Sequence, residues 1–196
     1  MSKQGSTKIR GLRDIYGYHD RFDVVLACAF ELEEKGNEKF GFYDKMGGVT
    51  QSIGKKPYLP HKEIDLNWPP EKIYDITNKI VIPCSDIVIG YLGLQSLATG
   101  IMIGSAFKHK IPVSYFYEKK VGLDSLKYKK TNLELGINEY SVELISGDTK
   151  NVDPSCEIVD PECRGEIYDL IEFEDENEAL EKLKLSLEAF YNKITG

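Results

Sequence analysis

The residues most suited to chemistry lie in DIVIGYLGLQSLATGIMIGSAF, residues 86–107, where an apolar run gives way to a loop bearing glycine, serine and threonine and then to a second apolar run. Backbone N–H groups at a helix start, with the hydroxyls of Ser96 and Thr99 beside them, form a cradle for a phosphate or carboxylate. Gly93 and Gly100 let a ligand come close to the main chain. The same hydroxyls would serve equally to cap the helix, so the pattern alone leaves both uses open. It is neither a Walker loop, having no GK[ST], nor a G-x-G-x-x-G dinucleotide turn.

Other candidates follow the ends of apolar runs. Ala29 and Glu31 come after the first run, His61 and Glu63 after the second, Tyr91 after the third, and Tyr117 and Glu118 after the fourth. A carboxylate there could stabilise developing positive charge. A histidine could move a proton or bind an anion. Tyr91 and Tyr117 could contact a sugar or base. Trp68, before two prolines, could stack on a base or staple a helix start. Asp86 begins a strand and is expected to cap the turn after Pro83. The three histidines and four cysteines show no zinc-ligand spacing, so neither a metal nor a cofactor is expected.

These groups need elements to hold them. Residues 22–30 (FDVVLACAF), 86–92 and 111–117 read as strands buried on both faces. Residues 56–61 make a short strand, 140–145 another, and 166–173 the last. Between them, NWPPEKIYDITNKIVIP carries proline at a helix start and Ile73, Ile76 and Ile80 on one face. Residues 97–109 read as a tightly packed helix. Glycines 36 and 41 predict a break in the charged stretch after the first strand. Asp175 and Glu178 resemble a capping box before a helix whose stripe is Leu180, Leu183, Leu187, Phe190, Tyr191 and Ile194.

Strands alternating with helices predict a doubly wound α/β domain: a parallel sheet of about five strands with helices on both faces. Ligands in such sheets bind at the carboxyl ends of the strands, where the order reverses. Residues 1–21 read as a loosely held arm, and residues 22–196 as a single domain with a polar insertion at about 118–165.

Composition limits the partner. The 196 residues contain 25 Lys and Arg against 32 Asp and Glu, a net charge of -7, which removes the attraction that duplex nucleic acid or anionic lipid requires. Apolar runs fall far short of the roughly 20 residues a bilayer crossing needs, and the polar first residues lack a signal-peptide core. A small molecule is the expected partner, in the cytoplasm, with reduced thiols.

The order of apolar strand, YLPHK, helix, CSDIVIGYLG, Ser/Thr/Gly loop, helix with Gly104 and Ala106, and KHKIPVSYFYE resembles the nucleoside 2-deoxyribosyltransferase superfamily. The resemblance spans about residues 22–118 plus the final strand and helix. It implies a flavodoxin-like fold, cleavage or transfer of an N-glycosidic bond, a nucleoside or nucleotide partner and a homo-oligomer. It also implies a sugar or phosphate at Ser96–Gly100 and a base between the segments after the first two strands. The family's nucleophilic glutamate falls on Met102, which cannot attack an anomeric carbon. Glu31 and His61 are then the candidates for catalysis, and Ala29, Tyr91, Gly93, Ser96, Thr99, Gly100, Met102 and Tyr117 for ligand contact. Two functions follow: an N-glycosidase or transferase with a displaced carboxylate, or a binding module that senses nucleotides without chemistry. A third reading is an interaction protein whose acidic insertion meets a partner.

Overall fold

The structure is a computed structural model, and it describes residues 3–28, 36–91, 97–118 and 167–195. A five-stranded sheet is built from β1 (Val24–Ala27), β2 (Pro57–Tyr58), β3 (Ile87–Tyr91), β4 (Val113–Glu118) and β5 (Ile167–Phe173). Every pair is parallel and the order is β2-β1-β3-β4-β5. The chain steps outward from β1 to β2, then returns past β1 to β3. That reversal makes the sheet doubly wound in the flavodoxin-like order, and the carboxyl ends of β1 and β3 flank the point of reversal, where sheets of this kind bind ligands.

Both faces are covered, as the unbroken burial of β1, β3 and β4 requires. Alternation sends Val24, Leu26, Ile87, Ile89, Tyr91 and Phe116 to one face, against α2 (Gly36–Ser52) and α6 (Glu176–Thr195). Val25, Ala27, Val88, Val113 and Tyr115 go to the other, against α5 (Leu97–Lys108) and the segment before β3. That segment starts as α4 (Pro70–Tyr74), with Pro70 in the first turn, then widens to π-helical turns at Asp75–Val81 and tightens at Ile82–Cys84. Pro83 cannot donate to the ladder, consistent with an end there.

Within the stretch read as an arm, α1 (Lys3–Tyr16) packs Leu12 and Tyr16 against the core, and Tyr16 Oη donates to Asp75 Oδ2 at 2.9 Å. Gly36 begins α2, and Gly41 does not break it, because burial of Phe42, Tyr43, Met46 and Thr50 along it outweighs about 1 kcal/mol of lost propensity. Gly47 also has a use, since a Cβ there would lie 2.8 Å from Leu59 Cδ1. The loop expected after β2 holds one short helix, α3 (Pro60–Glu63).

The last helix follows its predicted stripe except at Ile194, which is exposed. Asp175 Oδ1 accepts from the N–H groups of Asn177 and Glu178, and Glu178 Oε2 accepts from the N–H of Glu174. The reciprocal half of the cap therefore closes one residue earlier than a strict capping box. The strand predicted at 140–145 and the insertion lie outside the described residues.

Leu183 is fully buried on α6 while Leu185 is 66% exposed on the same helix. Leu183→Ala should cost about 2–5 kcal/mol and Leu185→Ala less than about 0.5 kcal/mol, read from urea unfolding midpoints at constant m-value. Equal losses would mean that α6 does not pack by this stripe.

Candidate functional site

The carboxyl edge of the sheet is where the candidate side chains collect. Tyr91 ends β3 and pairs in register with Phe116, and Glu118 ends β4 opposite Phe173. Two-residue periodicity puts Tyr91 and Glu118 on the face covered by α2 and α6. There the Tyr91 hydroxyl donates to Glu118 Oε1 at 2.7 Å, with both residues buried. Around the Tyr91 ring stand Phe42 and Tyr43 of α2 and Phe173 of β5, at centroid distances of 5.6, 5.8 and 6.3 Å. Burial, then the hydrogen bond to Glu118 and its charge, push the Tyr91 hydroxyl well above its ordinary value, so it stays a donor. The result is a carboxylate held at a fixed place in an aromatic shell.

On the opposite face, α5 leans close to β3 because Gly90 has no side chain: a Cβ there would lie 3.1 Å from Ile103 Cδ1 and 3.3 Å from Tyr115 Cδ1. This brings the first turn of α5 beside the β1/β3 reversal. Thr99 and Gly100 are buried in that turn. Thr99 is only 3% exposed, and its Oγ1 is buried with no hydrogen-bond partner among the described residues. Met102 is buried in the core between α5 and the sheet. Tyr117 is buried on this same face, opposite to Tyr91, so the two tyrosines are not brought together. Burial and then the charge of Glu172 raise the Tyr117 hydroxyl.

His61 sits in α3, just past the carboxyl end of β2. Its Nε2 lies 2.8 Å from Asp44 Oδ1, and its ring is stacked on Phe40 at 4.9 Å and 6°. Asp44 comes from α2 and has no sequence spacing that would pair it with His61; sequence reasoning missed it. It also missed the bond between Tyr91 and Glu118, although both strand ends were candidates. Glu63 is half-buried away from this group: its carboxyl is pushed up by burial, against the charge of Lys56 at the other end of β2. Trp68 packs partly buried on the core, with Lys72 Nζ 4.1 Å above its ring in a cation–π contact. Asp86 lies at the amino end of β3. Instead of capping the preceding turn it accepts from Tyr191 Oη at 3.3 Å, while Ser85 Oγ donates to the Ile82 carbonyl.

Ala29, Glu31, Gly93 and Ser96 lie outside the described residues. Cys28 is buried, and burial pushes its thiol up to about 12. Among the described residues no three His, Cys, Asp or Glu side chains gather as a metal site, and no helix is long and apolar enough to cross a membrane. A shallow groove between β5 and α6, lined by Asp169, Glu172, Lys182 and Leu185, lies away from the β1/β3 reversal.

No family model matches the chain, and no curated protein matches it. Among solved structures, it is similar to a Clostridium botulinum CMP N-glycosidase, BcmB, at 17% identity and a TM-score of 0.48, over 85% of this chain and 98% of that one. It is similar to a conserved protein from Enterococcus faecalis V583 at 15% identity and a TM-score of 0.48, over 85% and 99% of the two chains. The fold assignment rests on the strand order itself.

Tyr91→Phe removes a buried donor from Glu118 without changing shape. It should destabilise by about 1–3 kcal/mol at neutral pH, measured by urea unfolding, whereas a neutral result would mean that Glu118 does not depend on this bond.

Proposed function

We propose that the chain binds a nucleoside or nucleoside monophosphate in the crevice between the carboxyl ends of β1 and β3. The observation that carries this reading is the buried hydroxyl of Thr99 in the first turn of α5, which has no hydrogen-bond partner among the described residues. A buried hydroxyl without a partner costs about 1–3 kcal/mol, and a ligand phosphate or sugar hydroxyl in the helix-start cradle would satisfy it. The sequence resemblance names the ligand class. The reversal between β1 and β3 supports that location, because ligands of such sheets bind there. Ser96, Gly93 and Gly100 would complete the anion side, and Ala29 and Tyr117 the approach from the strands, with Tyr91 on the opposite face holding Glu118.

For glycosidic chemistry the reading assigns Glu31 and His61, with Glu118 as a further fixed negative charge at the same edge. Such a bond breaks through a positive, oxocarbenium-like transition state, which a nearby carboxylate stabilises and a thioether does not. The burial of Met102 in the core supports the alternative, a module that binds nucleotides without cleaving them.

The test is a panel of nucleosides, deoxynucleosides and their monophosphates, followed by thermal shift and by chromatography for free base. A ligand at a hundred times its Kd should stabilise by about 2.7 kcal/mol. Thr99→Val, which removes the orphaned hydroxyl at nearly constant volume, should leave the free protein as stable or more stable and weaken that shift. No shift from any compound, with the protein folded, would overturn the proposal. Base release separates the enzyme from the sensor.

A further inference from the structure

The imidazole of His61 is enclosed, with its side chain 8% exposed, between Phe40 and the neighbouring Tyr43, whose ring centroid is 6.2 Å away. One ring nitrogen, Nε2, meets Asp44 Oδ1 at 2.8 Å. The other, Nδ1, is buried and has no hydrogen-bond partner among the described residues. The same Asp44 oxygen receives Lys62 Nζ at 2.8 Å. Burial pushes the Asp44 carboxyl up, but the hydrogen bonds from Lys62 and His61, with their charges, outweigh it and hold the group below its ordinary value of 3.8. Asp44 is therefore ionised at neutral pH and can only accept.

An acceptor-only partner decides the tautomer. Nε2 must carry the hydrogen, and in the neutral ring Nδ1 is left with its lone pair. Stacking on Phe40 fixes the ring plane, so that lone pair has a set direction. A buried acceptor with nothing to accept is costly in the free protein and is relieved by a donor. His61 also stands at the carboxyl edge of the sheet, where a ligand of this fold would lie.

We infer that Asp44 is a positioning residue, which through His61 Nε2 holds Nδ1 as the acceptor for a hydroxyl or N–H donor of the bound ligand. The inference rests on the nucleoside reading for the class of ligand, since both the sugar hydroxyls and the amino group of a base are donors. It does not rest on that reading for the state of the ring.

The experiment is a long-range proton–nitrogen NMR correlation on the full chain labelled at histidine nitrogens, with the His61 signals identified by their loss in His61→Gln. The free protein should show hydrogen on Nε2 and a bare Nδ1. Asp44→Ala should mix the two tautomers, and Asp44→Asn, whose side-chain oxygen still accepts, should restore the first. Titration with the nucleoside monophosphates of adenine, guanine, cytosine, uracil and thymine should then move the Nδ1 signal. The Kd of the binder should rise about tenfold in Asp44→Ala, the loss of one well-formed hydrogen bond, and return within about threefold in Asp44→Asn. Ligand analogues lacking a sugar hydroxyl or the exocyclic amine identify which donor is taken. Hydrogen on Nδ1 in the free protein, or undiminished binding by Asp44→Ala, would overturn the inference while leaving the nucleoside reading intact. Failure of every compound to bind the wild type, with the tautomer as expected, would overturn the nucleoside reading and with it the ligand role of Nδ1.

Discussion

The parallel pairing of β1 with β3 is the contact on which the rest of the molecule depends. Val24 to Ala27 lie in register with Ile87 to Gly90, and this places two runs distant in sequence at the centre of the sheet. A central parallel pair is buried on both faces and cannot leave either to water, so each crossover must return over one face or the other. Here α2 covers one and the π-distorted segment with α5 covers the other. The crossovers from β1 and β3 therefore leave toward opposite faces, so the point at which the strand order reverses is a consequence of burial, not a separate feature.

Polar groups at that edge inherit their properties from the same packing. Tyr91 and Glu118 find each other because alternation puts both on the α2 and α6 face, in an aromatic shell that excludes water. Thr99 is buried because Gly90 lets α5 approach. His61 is enclosed because α3 follows β2 at once and meets the first half of α2. Each is a polar atom carried into low dielectric by an apolar neighbour, where a hydrogen bond made or missing weighs more than in water.

Much of this was legible in the chain. Four of the five strands announce themselves as valine-, isoleucine- or tyrosine-rich runs, and the α6 stripe is a strong helical period, because burial on both faces or along one stripe leaves a mark in local sequence. The α2 helix was not legible, since its stability comes from tertiary burial of Phe42 and Met46 against β1 and β3, which no local propensity reports. The same holds for α1, whose Leu12 and Tyr16 find their partners in residues far along the chain. At the site, residue types at strand ends gave Tyr91, His61 and Thr99. They gave neither Asp44 as the partner of His61 nor the separation of Tyr91 and Tyr117, because the first depends on how α2 meets α3 and the second on the register between β3 and β4.

The distribution of negative charge bears on whether the binding proposed above would extend to chemistry. In the superfamily that the sequence resembles, the glutamate that falls on Met102 both stabilises the positive transition state and traps the sugar, and a methionine can do neither. A carboxylate elsewhere at the edge recovers the first role alone: a unit charge about 5 Å from the anomeric carbon, at an effective dielectric near 20, contributes about 3 kcal/mol, roughly two orders of magnitude in rate. Glu118 is tied to Tyr91 on the face away from α5, so as a fixed charge it could act across the sheet edge but not by forming a bond to the sugar. Stabilisation without trapping leaves no covalent sugar intermediate that could outlast departure of the first base. Under the proposed function, such a protein would release base to water in preference to exchanging it, unless Glu31 is the bond-forming carboxylate. Base exchange and base release are thus different statements about which carboxylate reaches the sugar.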